Sequence, residues 1–310
     1  MPDSHEERLR RARISLEGLT VGDAFGDRFF GLSSQAIISS LEKRIPAYET
    51  PWWRYTDDTN MALSIYENLR LYGEIKQDEL AHSFAQHYDP ARGYGAAMHG
   101  VLGKISLGMP WHKVASELFS GQGSYGNGAA MRISLLGAYF GDDLDKVVEQ
   151  SALSAEITHA HADGIAGAIA TAIATAYVWR FGKSNERPSR QEFIDMILPH
   201  VPGGLVREKL RHARNLAPNS SIMLAISALG NGSAISAQDT VPFVLWAAGE
   251  YLDNYAEALW QTASAMGDVD TTCAMVGGIV AVYTGIEGIP AEWIQAREPL
   301  PEWALAETSA

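Results

Sequence analysis

The chain has 310 residues, 46% of them hydrophobic, and carries a formal net charge of −13 with an isoelectric point near 5.1. So large a surplus of acid excludes a broad nucleic-acid surface or an anionic membrane as partner, but not an anionic small ligand where bound cations invert the local charge. A single cysteine, Cys273, excludes an internal disulfide and gives no sign of an oxidising compartment.

The chain opens on MPDSHEERLRRAR, which is charged and has no apolar run of the kind a secretory signal carries. A cytoplasmic protein is expected. Residues 6–22 read as a helix that ends in the turn Gly22-Asp23-Ala24-Phe25-Gly26, with Asp27 at its exit beside Arg28. Residues 31–55 read as a long irregular segment, in which Trp52 and Trp53 suit either the rim of a binding mouth or an anchor to the core or loop. Ala62, Ile65, Tyr66, Leu69 and Tyr72 then recur on one helical face. Thr56 or Asp58 suits its N-cap and Gly73 its C-cap.

Further helices are expected at 78–87, 95–107, 111–119, 128–139, 143–155, 160–180, 190–199, 204–214, 219–228, 240–262 and 270–284. Ala166-Gly167-Ala168 and Gly277-Gly278 supply small residues that let helices approach closely. The apolar run Ile165–Val178 falls short of the roughly 20 residues a membrane span needs. No alternating strand pattern, linker or fixed-period repeat is present. The expected fold is all-α: a compact single-domain multi-helix orthogonal bundle over 1–310, with its core at 14–285 and peripheral ends at 1–13 and 290–310.

Two stretches far apart concentrate hard oxygen ligands: Thr56-Asp57-Asp58-Thr59 and Gly267-Asp268-Val269-Asp270-Thr271. Their four carboxylates match the charge of two divalent cations, and their oxygens suit Mg²⁺ or Mn²⁺ and not zinc. Taken separately, each is also an ordinary acidic helix start. Gly121 to Gly128 packs four glycines before an expected helix, which suits a phosphate at a positive helix end, although a plain glycine turn fits as well. Tyr125 in this loop can stack on a base or ribose. Arg132 can meet a phosphate or one of the aspartates. His159 and Asp163, four apart, can pair on one helix face.

In this order the motifs GDAFG, TDDT, SYGNGAAMR, THAH and GDVDT resemble the ADP-ribosylglycohydrolase family, that of dinitrogenase reductase-activating glycohydrolases and ADP-ribosyl hydrolases. The resemblance runs from about residue 14 to 285. It implies two Mg²⁺ or Mn²⁺ ions in a central dinuclear site, held by Thr56, Asp57, Asp58, Asp268, Asp270 and Thr271. It implies that Gly123, Ser124, Tyr125, Gly126 and Asn127 hold the diphosphate and ribose, with His159 on the substrate side. The expected reaction is hydrolysis of the bond between ADP-ribose and a protein side chain or small conjugate, in a monomer or small oligomer.

One position departs from the pattern. Where the family usually carries its acid/base Glu, this chain has Phe30. Asp27 is the candidate substitute, with Glu49 a weaker one. Two alternatives follow: an ADP-ribose-binding protein of weakened activity, and a two-metal phosphoesterase.

Overall fold

The computed structural model describes residues 3–46 and 52–305, and these form helices with no strand among them. In chain order they are α1 (His5–Asp27), α2 (Ser34–Lys43), α3 (Asp57–Tyr72), α4 (Gln77–Gln86), α5 (Ala96–Ser106), α6 (Trp111–Ser116), the irregular turn α7 (Leu118–Gly121), α8 (Ser134–Tyr139), α9 (Leu144–Glu156), α10 (Ala162–Ser184), α11 (Arg190–Ile197), α12 (Leu205–Asn215), α13 (Ile222–Leu229), α14 (Ala237–Glu250), α15 (Tyr255–Ser264), α16 (Val269–Thr284), α17 (Ala291–Ala296) and α18 (Glu302–Leu305). Local chemistry sets many of their ends. Ser4 and Glu7 form a capping box at α1, and Thr56 accepts from the Asp58 N–H at α3. Gly73 closes α3 in the left-handed region, at φ 71°.

The central event is the packing of α1 against α16, which run antiparallel. Gly18, Gly22 and Gly26 recur every fourth residue and so lie on one face of α1. A Cβ at Gly18 would stand 2.4 Å from the Gly277 carbonyl, at Gly22 2.2 Å from that of Cys273, and at Gly26 2.5 Å from that of Val269. The facing Gly277 is equally tight, 2.4 Å from the Gly18 carbonyl. Only glycine lets the two backbones come this close. The close approach was expected of Gly277-Gly278. That α1 supplies the matching stripe was not: the helix expected to stop at 22 runs on to Asp27, and GDAFG is helix, not turn.

Other elements also differ from expectation. The segment 31–55 contains α2, capped by Ser33. The run 240–262 breaks into α14 and α15, with Asn254 capping the second. Residues 128–139 give a three-residue 3₁₀ turn at Asn127–Ala129 and only later α8. α10 is 23 residues long and apolar enough to cross a membrane, but 83% of its most apolar window is buried in the protein. Trp53 anchors a core cluster, its ring 6.1 Å from Phe25 and 6.0 Å from Trp293. The ends expected to be peripheral carry buried side chains, among them Arg11, Trp293 and Ala304, and Arg297 pairs with Glu17 at 3.2 Å.

Candidate metal centre and cleft

The α1–α16 contact brings the start of α16 beside the end of α1, and α3 begins in the same place. Asp23, on α1, is fully buried and accepts four donors: the Thr56 N–H at 2.9 Å, the Thr56 hydroxyl at 2.9 Å, the Thr59 N–H at 3.1 Å and the Thr59 hydroxyl at 2.6 Å. A carboxylate has about four lone-pair sites, so Asp23 is saturated.

Asp58 is its opposite. It too is fully buried, yet its Oδ1 has no hydrogen-bond partner among the described residues. Its Oδ2 faces the Thr56 hydroxyl at 3.0 Å and that of Thr271 at 3.4 Å. The Thr56 hydroxyl has one proton for two carboxylates. Given to Asp23, it leaves oxygen lone pairs of Thr56 and Asp58 facing each other.

Asp23, Asp58 and Asp270 each bring a carboxylate oxygen within 4.8 Å of the others. Asp57, Asp268 and Thr271 border the cleft that Asp270 also lines, and the Thr271 hydroxyl reaches Asp58. Among the described residues, no ion pair neutralises any of these five aspartates. An uncompensated buried charge either protonates or takes a cation. The orphaned Asp58 Oδ1 and the surrounding hard oxygens fit a divalent cation. The six residues expected to hold metal are thus brought together, and the structure sets Asp23 beside them as the acceptor that fixes Thr56 and Thr59. Asp268 also occupies the N-cap of α16 without capping it. Its Oδ2 instead accepts from the Asn127 amide at 2.7 Å. A pure capping reading of this acidic helix start therefore fails.

The acids show the same stress in their protonation. Burial first, and neighbouring carboxylates next, raise Asp57 to about 7, and Asp58 and Asp270 well above the usual range. Burial raises Asp23 to about 6 against the opposing pull of its Thr donors. Each folded-state value lies above that of the unfolded chain, near 3.8. The folded state then holds more protons than the unfolded state between about pH 4 and 7, so stability falls as pH rises through that window. In chelator, the melting temperature should be lower at about pH 8 than at about pH 5. Millimolar Mg²⁺ should shrink the gap, and an equal gap with and without cation would contradict this account.

Asp57, Asp268 and Asp270 floor a cleft of about 460 Å³. One wall is formed by residues 124–128, with Gly123 just behind it. Gly123 is left-handed at φ 74°, and a Cβ there would lie 2.7 Å from the His161 backbone N. Tyr125 O accepts from the Ala237 N–H at 2.9 Å, which ties the loop to α14. Ser124 Oγ accepts from the Gly126 N–H at 3.1 Å. Asn127 directs its amide to both Asp268 and Thr240, leaving its carbonyl oxygen for the cleft. Because a three-residue turn and not a helix follows, no helix end assists anion binding here, contrary to expectation.

His159 is buried under this loop and reaches the cleft. It does not pair with Asp163, which accepts from the Val206 N–H at 3.1 Å. Arg132 meets neither a phosphate-sized opening nor a carboxylate. It lies 4.5 Å over the Phe84 ring and donates to Ser154 O at 3.1 Å.

At the mouth, exposed Phe119 and Tyr125 stack with ring centroids 6.4 Å apart. Phe119 adopts φ 51°, a rare value for a bulky side chain. Asp27 ends α1 one turn beyond Asp23 and does not border the cleft. Burial raises its carboxyl, opposed by Arg54 and Arg28. Phe30 is 48% exposed in the turn after α1. Glu49 lies outside the described residues, and neither Trp52 nor Trp53 borders the cleft.

The ADP-ribosylglycohydrolase family model matches residues 4–309. The chain belongs to the ADP-ribosylglycohydrolase family. It is 31% identical to the ADP-ribosylhydrolase ARH3 of Bos taurus, over 95% of this chain and 90% of that protein. It is 29% identical to an uncharacterized protein of Archaeoglobus fulgidus, over 96% and 95%. A solved structure titled ADP-ribosylglycohydrolase-related protein complex superposes with a TM-score of 0.60 at 22% identity, over 94% of this chain and 93% of that one. That likeness shows an ADP-ribosylglycohydrolase fold, and the all-α reading of the sequence agrees with it.

Sequence reasoning missed Asp23. The signal was present, since Leu16, Leu19 and Asp23 share one apolar stripe of α1, where an acid is out of place.

Proposed function

We propose that this member of the family hydrolyses the glycosidic bond joining ADP-ribose to a protein side chain or small conjugate. The observation that supports it is an orphaned buried carboxylate oxygen among five aspartates, three of which floor a cleft walled by a glycine loop. The names of the curated relatives, ADP-ribosylhydrolases, point the same way.

In this reading Thr56, Asp57, Asp58, Asp268, Asp270 and Thr271 hold two Mg²⁺ or Mn²⁺ ions. Asp23 holds Thr56 and Thr59 in place. Bound there, the cations would supply electrostatic stabilisation to the ribose oxygens as oxocarbenium character develops. Gly123, Ser124, Tyr125, Gly126 and Asn127 position the diphosphate and the nearer ribose, and His159 lies beneath them. Phe119 and Tyr125 offer their faces to the adenine, for aromatic stacking. Held remotely in this way, the ligand presents its distal ribose to the acid floor, and binding energy becomes orientation. Asp27, one turn of α1 beyond Asp23 and outside the cleft lining, is the proposed base, a role that requires it to reach the distal ribose past the acid floor.

The test is to incubate the purified chain with Mg²⁺ or Mn²⁺ and peptides carrying ADP-ribose on Arg, Ser or an acidic residue, and to measure released ADP-ribose. No release from any of the three sinks the proposal. Phosphate release with the glycosidic bond intact selects a phosphoesterase instead. Phe30 favours a second reading, binding without turnover. A cation-dependent thermal shift by ADP-ribose, about 2.7 kcal/mol at a hundredfold excess over Kd, would accompany zero release in that case.

A further inference from the structure

Beneath the glycine loop, three buried side chains form a chain of hydrogen bonds: Arg132 Nη2 to Thr158 Oγ1 at 2.9 Å, and Thr158 Oγ1 to His159 Nδ1 at 2.8 Å. The direction of this chain is fixed by elimination. A guanidinium only donates. Thr158 therefore accepts from Arg132 and has its own single proton to give. Thr158 is fully buried, and among the described residues His159 Nδ1 is the acceptor in reach. The proton goes there, so Nδ1 must present a lone pair.

A neutral imidazole then carries its proton on Nε2. Burial, and after it the charge of Arg132, pushes His159 down to about 3, so the ring is neutral at physiological pH. Nε2 faces Gly126 and Gly128: a Cβ at either would stand 3.1 Å from it. These two glycines leave the opening through which the ring reaches the cleft.

We infer that Arg132 and Thr158 are positioning residues that lock His159 in its Nε2–H tautomer, so that the cleft receives a hydrogen-bond donor and never an acceptor at this point. The ligand atom it selects is an oxygen with free lone pairs, a phosphate oxygen or a ribose oxygen. An N–H or ammonium group is refused. The rigidity of the device has a visible source. Arg132 is clamped by the Phe84 ring, by Met61 Sδ at 3.4 Å and by Ser154 O at 3.1 Å. It has no carboxylate among the described residues to draw it away. The identity of the ligand rests on the ADP-ribose reading above, but the tautomer does not.

The experiment is long-range ¹H–¹⁵N NMR on protein labelled at histidine nitrogens, with His159 assigned by its loss in His159→Gln. The expected result is a protonated Nε2 and a bare Nδ1. A proton on Nδ1 overturns the inference, whatever the protein binds. Thr158→Val keeps the volume but removes the hydroxyl, and Thr158→Ser keeps the hydroxyl. ADP-ribose affinity should fall about tenfold in Thr158→Val, the equivalent of one hydrogen bond, and stay near wild type in Thr158→Ser. The Mg²⁺-induced thermal shift should be unchanged in both. Wild-type ADP-ribose affinity in a folded Thr158→Val protein also overturns the positioning role. If that variant does not fold, the wild-type tautomer and Thr158→Ser decide the matter. If wild type binds no ADP-ribose, the functional reading fails while the tautomer result still stands or falls on its own.

Discussion

Asp58→Asn is expected to make the cation-free protein more stable while abolishing its response to Mg²⁺. The two effects have opposite signs and one cause. Asp58 buries a carboxylate oxygen with no hydrogen-bond partner, in contact range of other acids that all resist ionisation. A neutral amide of the same shape removes that cost, on the order of 1–3 kcal/mol. It also removes one negative charge and one carboxylate ligand from the cluster. Turnover should fall by about 10² or more, since a bound cation contributes several kcal/mol to the transition state. Melting curves in chelator and in Mg²⁺ check the first part, and ADP-ribose release checks the second. A variant that Mg²⁺ still stabilises as it does wild type would show that the cation sits elsewhere.

Asp27→Asn should lower turnover by about 10²–10⁴, the usual cost of losing a general base, and leave the Mg²⁺ shift intact. Asp27 follows Asp23 by four residues and so shares its helix face one turn on. Burial raises its carboxyl, and that moves it toward the range where a base can both take and return a proton. The neighbouring Phe30, half-exposed, has no proton to exchange. Single-turnover rates with and without the substitution, at matched ADP-ribose occupancy, measure the effect. An unchanged rate moves the role away from Asp27 and returns attention to the cluster itself.

Much of the site was readable because its parts announce themselves locally. Thr56 caps α3 as its position suggested, and the acids that follow it are where a helix start places them. The meeting of this stretch with Asp268–Thr271 rested on the chemistry of hard oxygens in two distant places and on the family resemblance. What was not readable depends on partners remote in sequence. Glycines at 18, 22 and 26 look like punctuation until α16 arrives to fill the groove they leave. Read as a turn, GDAFG hid Asp23 in plain view. The break between α14 and α15 was passed over although Glu250, Asp253 and Asn254 interrupt the apolar run; α14 ends at Glu250, and the Asn254 bond to the Glu257 N–H starts the next helix. Phe119 and Tyr125 became a pair only when the chain folded, through a backbone geometry at Phe119 that no sequence rule favours.

The glycine-lined contact of α1 and α16 also orders events in time. Helices close in sequence form first, since their contacts close short loops. The groove on α1 waits for a partner that follows it by most of the polypeptide. Until α16 docks, Asp23 and its neighbours belong to a surface that cannot yet capture an ion. Ion capture therefore reports on the finished chain: in a refolding experiment it should trail the gain of helicity and coincide with the final consolidation of the core.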